Sequence, residues 1–570
     1  MASLRLKSML VVPSYLALAC LLTWPLVRDF RSGLSCVYGP ADPLLQIFLM
    51  GWGWQALGTH PFGIFDAPIF YPEPRTLTYM DSMIGEAVVG GPVSMVFGLG
   101  AGYNFLILLS FVASGWFLYR LARFYGVSRM GSFLAGFFFA FSPYRFSNLG
   151  ELNQLQTQFI PLGLLFTARF IRTGAFRFGI GAALTLVFQA YFGWYGTFHL
   201  MVAMVLLGIW QMTQGQRRSW RSIVLFSAIV AVFVLPLAMP YWREQHTLPE
   251  FRRSIGESAL WSADLLNYLQ LNLENVLAKT WSFLGDDQGY FPGLIALILA
   301  CVGFKTLRGS RLTAAGPAGR FRRLRSMRQW GEKGYFVILG CAGFVLSLGP
   351  VLRVGGRLVW IPLPYAVCYF VIPGFSSMRV PGRFAVLVAV AVAALAGIGF
   401  DALRRRQPRR ATLLFTGFLL GGLALAWCPD IPFTPAPDRA SMPPVYAWLA
   451  QEPGSDPVLE LPMPRIVQEE SGTHARRQVW VLYHKKPRLD GVSGFVSKSY
   501  EQFRLQMAEF PAPETIRLAA AKGARTLIVH YGDYPPELRE KLRHQVSSAP
   551  ELKEEASFDL DVVYKIQSVS

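Results

Sequence analysis

The stretch GPADPLLQIFLMGW, residues 39–52, lies between two long apolar runs and is itself apolar and aromatic, with Asp42 beside Pro43 near its start. The chain continues through FYPEPRTLTYMDSMIGEAVVGGP, residues 70–92, before the next run begins. A connection this long and amphipathic, carrying carboxylates between membrane-type helices, reads as the active-site loop. Segments 42–57 and 81–99 within it are expected to be helices lying at the membrane interface.

Working outward, composition sets the class of the flanking runs. With 53% hydrophobic, 14% aromatic and 16% charged residues over 570 positions, the chain is too apolar for an ordinary soluble domain. A helix crossing the hydrocarbon needs about 20 apolar residues. Spans are expected at 9–27, 102–122, 131–144, 155–171, 178–191, 197–212, 223–239, 291–307, 335–348, 384–402 and 413–427, about eleven in all. The first is expected to be an uncleaved anchor, because no small-residue cleavage site follows it.

Charge gives an independent check on this count. The net charge of +19 would suggest nucleic acid in a soluble protein, but here the basic residues cluster in alternate connections. Those clusters are Arg120, Arg123 and Arg129; Arg169, Arg172 and Arg177; Arg217, Arg218 and Arg221; 305–333 with Arg320, Arg322, Arg323 and Arg325; and 404–410. With Arg5 and Lys7 inside, the loops 28–100, 145–154, 192–196, 240–290 and 349–383 and everything after about 429 fall outside. The segment VWIPLPYAVCYFVIPGF, residues 359–375, is short and broken by prolines, so it reads as re-entrant or interfacial. The six cysteines, Cys20, Cys36, Cys301, Cys341, Cys368 and Cys428, show neither paired nor metal-ligand spacing.

After Trp427 the pattern changes. PPVYAWLA and PPELREKLRHQV read as helices, and PVLELP, TLIVH and DLDVVYKI as strands. The expected fold is a polytopic α-helical membrane protein of about eleven spans with a C-terminal extracytoplasmic α/β domain. Its domains are 1–428, with the outer loop 28–100, and 429–570. No glycine-rich phosphate loop supports nucleotide binding.

The centres of the spans carry almost no charge, which suits chemistry at the outer interface better than transport through the bilayer. Asp42 reads either as the general base for an acceptor hydroxyl or as a helix N-cap, and the two roles are compatible. Asp81 and Glu86 could contact an acceptor or a cation, or serve structurally. Glu151, with Asn153, Gln154 and Gln156 in LGELNQLQ, suits a hydroxyl-rich ligand such as a sugar, or a polar helix start. Arg379 and Arg383 in PGFSSMRVPGRF, residues 373–384, suit a phosphate or diphosphate, or else a lipid headgroup or a loop carboxylate. Arg145 and the group Arg243, Arg252 and Arg253 are weaker candidates of the same kind. His199 and His246 are isolated, and Asp286 and Asp287 read as loop acids that could bind a metal.

Taken together, the loop with Asp42-Pro43-Leu44-Leu45, the FYPEPRTLTYMDSMIGEA stretch, the PGFSSMRVPGRF loop and the outer domain resemble the GT-C superfamily of polyprenyl-phosphate-dependent glycosyltransferases. That superfamily includes protein O-mannosyltransferases, lipid A aminoarabinose transferases and oligosaccharyltransferases, and the chain also looks like YfhO-type bacterial membrane proteins. The resemblance implies a bacterial inner-membrane enzyme moving a hexosyl or pentosyl group from a polyprenyl (di)phosphate to a glycan, lipid or protein acceptor. It implies Asp42 as catalytic residue, with Glu151 beside it, and Arg379, Arg383 and Arg145 as ligands of the donor phosphate. Asp81, Asn153 and Gln154 would contact acceptor or sugar. The chain departs from the family in having no DxD or ExD in its outer loops, so no metal is assigned, and the only cofactor-like partner is the lipid-linked sugar. The competing readings are a non-catalytic relative that binds lipid or glycan or scaffolds envelope assembly, and a carrier of lipid-linked glycan. Nucleic acid is not an expected partner.

Overall fold

The computed structural model describes residues 10–215, 220–269, 289–309, 330–426, 431–464 and 468–567. Asp286, Asp287, Cys428 and the basic run at 320–325 lie outside them. The chain divides into two compact units. Met1–Asp29, Phe105–Leu237 and Arg252–Pro432 form the first, and Phe30–Asn104, Ala238–Phe251 and Phe433–Ser570 form the second.

A helix stands at each of the stretches expected to span. They are Val11–Leu22, Leu99–Phe124, Arg129–Ala140, Phe159–Thr173, Phe176–Phe192, Trp194–Thr213, Trp220–Thr247, Leu294–Gly309, Tyr335–Ser347, Ala385–Arg406 and Ala411–Ala426. Among the described residues, five helices are long and apolar enough to cross a membrane: Leu99–Phe124, Trp194–Thr213, Val224–Thr247, Pro381–Arg406 and Pro408–Ala426. The first helix is shorter than expected, because the chain leaves it at Leu22 for a run of turns around Trp24 and Pro25.

The core of the first unit forms around Ala385–Arg406. From Ala385 to Asp401 every side chain except that of Val392 is buried. Helices Leu294–Gly309, Tyr335–Ser347 and Arg129–Ala140 pack against it. Small residues allow this: a Cβ on Gly397 would stand 2.6 Å from the Gly131 carbonyl, and one on Gly399 would run into the Leu299 carbonyl. Backbones approach this closely in apolar bundles only where side chains are minimal. Residues 359–375, expected to be re-entrant or interfacial, form two short elements. Their first part is a strand, Arg357–Pro362, paired antiparallel with Val351–Val354 across Gly355-Gly356, and only Pro364–Val371 is helical. Both glycines have positive φ, +57° and +78°, as a two-residue hairpin turn requires.

In the second unit the long loop and the C-terminal segment are one structure. The grouping thus differs from the expected 1–428 and 429–570, because strand Gly33–Ser35 pairs antiparallel with Phe433–Pro435. Asn104 braces the approach, donating to the carbonyls of Phe30 (2.9 Å) and Gly33 (2.7 Å). Helix Ala41–Thr59 packs on Ile84–Phe97 and on Gln468–His484, with Gly51 against Leu482 and the Gln55 amide donating to the Leu482 carbonyl at 3.1 Å. The side chains of Leu44, Ile47, Phe48 and Met50 are fully buried. Protein covers much of this helix, which accounts for a large part of its apolar character.

A four-stranded mixed sheet follows, in the order Val458–Leu461, Thr526–His530, Asp561–Ile566, Leu552–Phe558. Its first pair is parallel and the other two are antiparallel. Val445, Tyr446, Leu449, Trp480, Ile528 and Val563 form the core beneath it.

Candidate functional site

Six of the eight sequence candidates, Arg145, Glu151, Asn153, Gln154, Arg379 and Arg383, belong to the first unit, and Asp42 and Asp81 belong to the second. The first unit brings a charged and aromatic constellation to the start of its central helix. Arg383 lies in the single turn Pro381–Phe384 that leads into Ala385–Arg406, whose last turn carries Arg404, Arg405 and Arg406. Twenty or so helical residues rise about 30 Å, the thickness of a bilayer core. Arg383 and the terminal arginine cluster therefore stand a membrane thickness apart along one helix.

The loop before that helix is shaped by its own sequence. Gly374 adopts φ +88°, Pro381 opens the final turn, and the rings of Phe375 and Phe384 stack at 5.9 Å. Tyr195 holds the loop from the start of helix Trp194–Thr213. Its hydroxyl accepts from the backbone amides of Arg379 (3.0 Å) and Val380 (3.1 Å), and its ring lies 4.5 Å beneath the Arg383 guanidinium. Arg379 lies 4.6 Å over the ring of Trp261. Stacking of this kind fixes the plane of a guanidinium and leaves its edge available for hydrogen bonds.

Each arginine also has a carboxylate partner. Arg383 donates to Glu151 at 2.6 Å, with both side chains mostly buried. Glu257 Oε1 lies 3.2 Å from Arg379 Nε and accepts from Arg253 Nη1 at 3.2 Å. The position of Glu257 follows from local chemistry: Ser254 caps the helix Ile255–Leu260 by accepting from the Glu257 amide, which sets Glu257 in the first turn. Burial pulls the pKa of Arg379 down, the nearby Arg253 adds to this, and Glu257 opposes it. Arg379 remains a cation throughout the physiological range.

The remaining candidates separate clearly. The Arg145 guanidinium is 1% exposed, with Phe111 4.8 Å away. It donates to the carbonyls of Ala140 and Leu155 and to the hydroxyls of Ser110 and Thr157. It is thus a brace between elements, with its donors spent on protein rather than presented to a phosphate. Gln154 is 5% exposed, while Asn153 and Glu151 are half-buried.

Asp42 is exposed in the first turn of Ala41–Thr59, where the helix dipole favours a carboxylate. The N-cap position is Pro40 rather than Asp42, so the capping role is corrected: the helix begins two residues earlier than Pro43 suggests. Asp81 is half-buried, two residues before the Met83 N-cap of Ile84–Phe97. Glu86, one turn further, is fully buried, and among the described residues its carboxylate oxygens have no hydrogen-bond partner in another residue. Burial raises its pKa well above the usual carboxylate range, and Asp81 adds to the shift. Gly53 packs on Ala87, so Glu86 lies beside the middle of Ala41–Thr59, about 16 Å along the helix from Asp42.

Sequence reasoning singled out neither Tyr195, Trp261 nor Glu257. The available signals were aromatic residues at helix ends and the run Arg253-Ser254-Ile255-Gly256-Glu257, in which a serine three residues before a glutamate marks a helix start.

No protein-family profile matches the chain, and no curated protein matches it. Among solved structures it is similar to the Archaeoglobus fulgidus oligosaccharyltransferase in the apo form, at 12% identity and a TM-score of 0.48, over 92% of this chain and 69% of that one. It is also similar to the archaeal oligosaccharyltransferase AglB from Archaeoglobus fulgidus in complex with an inhibitory peptide and a dolichol-phosphate, at 11% identity and a TM-score of 0.47, over the same shares.

Proposed function

We propose that the protein is a membrane glycosyltransferase that moves a sugar from a polyprenyl-phosphate-type donor to an acceptor outside the cytoplasm. The observation that carries this reading is the pair Arg379 and Arg383, each laid over an aromatic ring and joined through Tyr195 at one end of the central helix. Such groups suit a phosphate at a membrane surface: they are cationic, planar and preorganised. The alternating basic connections support an outward orientation of that end.

In the proposed reaction the acceptor hydroxyl oxygen attacks the anomeric carbon. The bond from that carbon to the phosphate oxygen breaks, and the phosphate leaves with the electron pair. Arg379 and Arg383 stabilise the charge that develops on it. Asp42 is proposed as the general base that takes the hydroxyl proton, giving a single displacement with inversion; its exposed carboxylate supports that role. Glu151 acts by holding Arg383 in place. No step calls on a metal.

The test is turnover of a panel of polyprenyl-linked sugars by the purified full chain. Asp42→Asn is expected to lower the rate by about 100-fold or more while leaving donor binding intact. Arg383→Ala is expected to weaken donor binding itself. Undiminished turnover by a folded Asp42→Asn protein would sink the assignment of the base. Donor binding without turnover in the wild type would favour a lipid-linked-glycan binding protein instead.

A further inference from the structure

Helices Tyr335–Ser347 and Ala385–Arg406 pack side by side, and a Cβ on Gly343, near the end of the first, would stand 2.7 Å from the Cβ of Leu387, near the start of the second. The chain between them therefore leaves and rejoins the bundle at one end, a membrane thickness from the Arg404, Arg405 and Arg406 cluster. Protein holds the inner side of this connection. Asp264 accepts from the turn amide of Gly356 at 2.7 Å, Arg353 donates to the Leu260 carbonyl at 2.9 Å, and Tyr365 is buried beside the rings of Phe375 and Phe384. The outer side is apolar and bare. Five of the six residues of strand Arg357–Pro362 are exposed, Val359, Trp360 and Ile361 among them. Successive side chains of a strand point to opposite faces, so both faces are apolar here. On helix Pro364–Val371 the exposed side chains Val367, Phe370 and Val371 share one face, by their spacing of three and four. Trp360 is 83% exposed and Phe370 75%. An apolar patch of this kind marks a contact with protein or lipid, and its attachment at both ends to helices at the membrane surface decides for lipid. The strand also limits how deep the patch can lie. Its outer edge has no ladder partner among the described residues, and hydrocarbon would leave those backbone groups unsatisfied. The headgroup level satisfies them and is where tryptophan is favoured.

We infer that strand Arg357–Pro362 and helix Pro364–Val371 form a lipid anchor: Trp360, Phe370 and their apolar neighbours insert at the boundary between headgroups and acyl chains, and the bilayer thereby sets the depth of the loop 373–384. This anchor is independent of any donor bound by that loop.

The test uses the full chain in phosphatidylcholine vesicles and photoactivated diazirine probes of three kinds: a phosphatidylcholine with the diazirine near the glycerol end of its acyl chain, one with it at the chain terminus, and a water-soluble diazirine. Trypsin releases residues 358–379 as one peptide, because Arg357 and Arg379 bound it, and mass spectrometry locates the label. With each probe normalised to its total incorporation into the chain, labelling at Trp360 and Phe370 by the shallow lipid probe is expected to exceed that by the aqueous probe at least about fivefold, with the chain-terminus probe in between. Stronger labelling by the aqueous probe overturns the anchor, because the patch then lies in water. Absence of label from all three also overturns it, because protein then covers the patch. Strongest labelling by the chain-terminus probe overturns the depth assigned.

Discussion

At the scale of single residues, similar side chains in this protein have opposite fates. Arg145 and Arg383 are both arginines near the ends of apolar helices, and the sequence ranks Arg145 the weaker phosphate candidate without showing what encloses it. The difference is one of partners. Arg145 is surrounded by neutral carbonyls and hydroxyls that use its donors in a fixed fork, whereas Arg383 faces an aromatic ring and a carboxylate. Arg145→Met should therefore act on stability, taking a donor from two carbonyls and two hydroxyls. A loss of at least about 3 kcal/mol is expected, since the Leu155 carbonyl keeps Ser110 Oγ as a donor while the other three groups each lose a partner at about 1–3 kcal/mol. Thermal unfolding in detergent measures it, and an unchanged melting temperature would remove the bracing role.

At the scale of elements, the central helix Ala385–Arg406 shows how a run of Ala, Val and Gly can be more informative than a charged motif. Its glycines admit neighbouring backbones from two sides, Gly397 toward Gly131 and Gly399 toward Leu299 and Gly303. Gly399→Leu forces the Leu294–Gly309 helix outward, because the obstructing atoms belong to its backbone and cannot rotate aside. The expected outcome is loss of most folded protein from detergent extracts, judged by size-exclusion chromatography. The same substitution at Gly417, which has open space around it, should be tolerated. The existence of the helices was legible because length and hydropathy are written in consecutive residues. The hairpin Val351–Val354 with Arg357–Pro362 was missed, because its apolar residues and prolines match an interfacial segment equally well and only pairing distinguishes the two.

At the scale of the whole molecule, the second unit rests on a buried ionic network in its sheet. Glu460 accepts from Tyr446 at 2.7 Å and lies 3.2 Å from both Arg488 and His530, while Arg488 also pairs with Asp490. His530 Nδ1 lies 2.8 Å from Asp561. Burial and Arg477 oppose the charge on His530, but its bonds to Asp561 and Glu460 win and raise its pKa. Its stabilising contribution is therefore complete below the ordinary histidine value, about 6.5, and is lost as pH rises through the higher folded value. For Glu460 burial alone would raise the pKa, but Arg488 and His530 outweigh it and hold it far below the carboxylate range, so its contribution is complete above the ordinary carboxylate value, about 4.3, and declines as pH falls from there toward the lower folded value. Hydrogen exchange at Val458–Leu461 and Thr526–His530, corrected for intrinsic rates, should show less protection as pH rises above neutrality. His530→Gln should flatten that trend, and a slope unchanged by the substitution would discard the linkage. By itself the sequence determined the apolar helices, the strands at 458–461, 526–530 and 561–566, and the arginines at the mouth of the central helix, because hydropathy, proline and charge signals act over one or two turns of chain. Only the tertiary structure decided that residues 30–104 fold with 433–570, that Glu151 meets Arg383 across 232 positions, and that Arg145 is enclosed. Contacts between residues so far apart are selected by packing and pairing in the folded chain, and no local pattern records them.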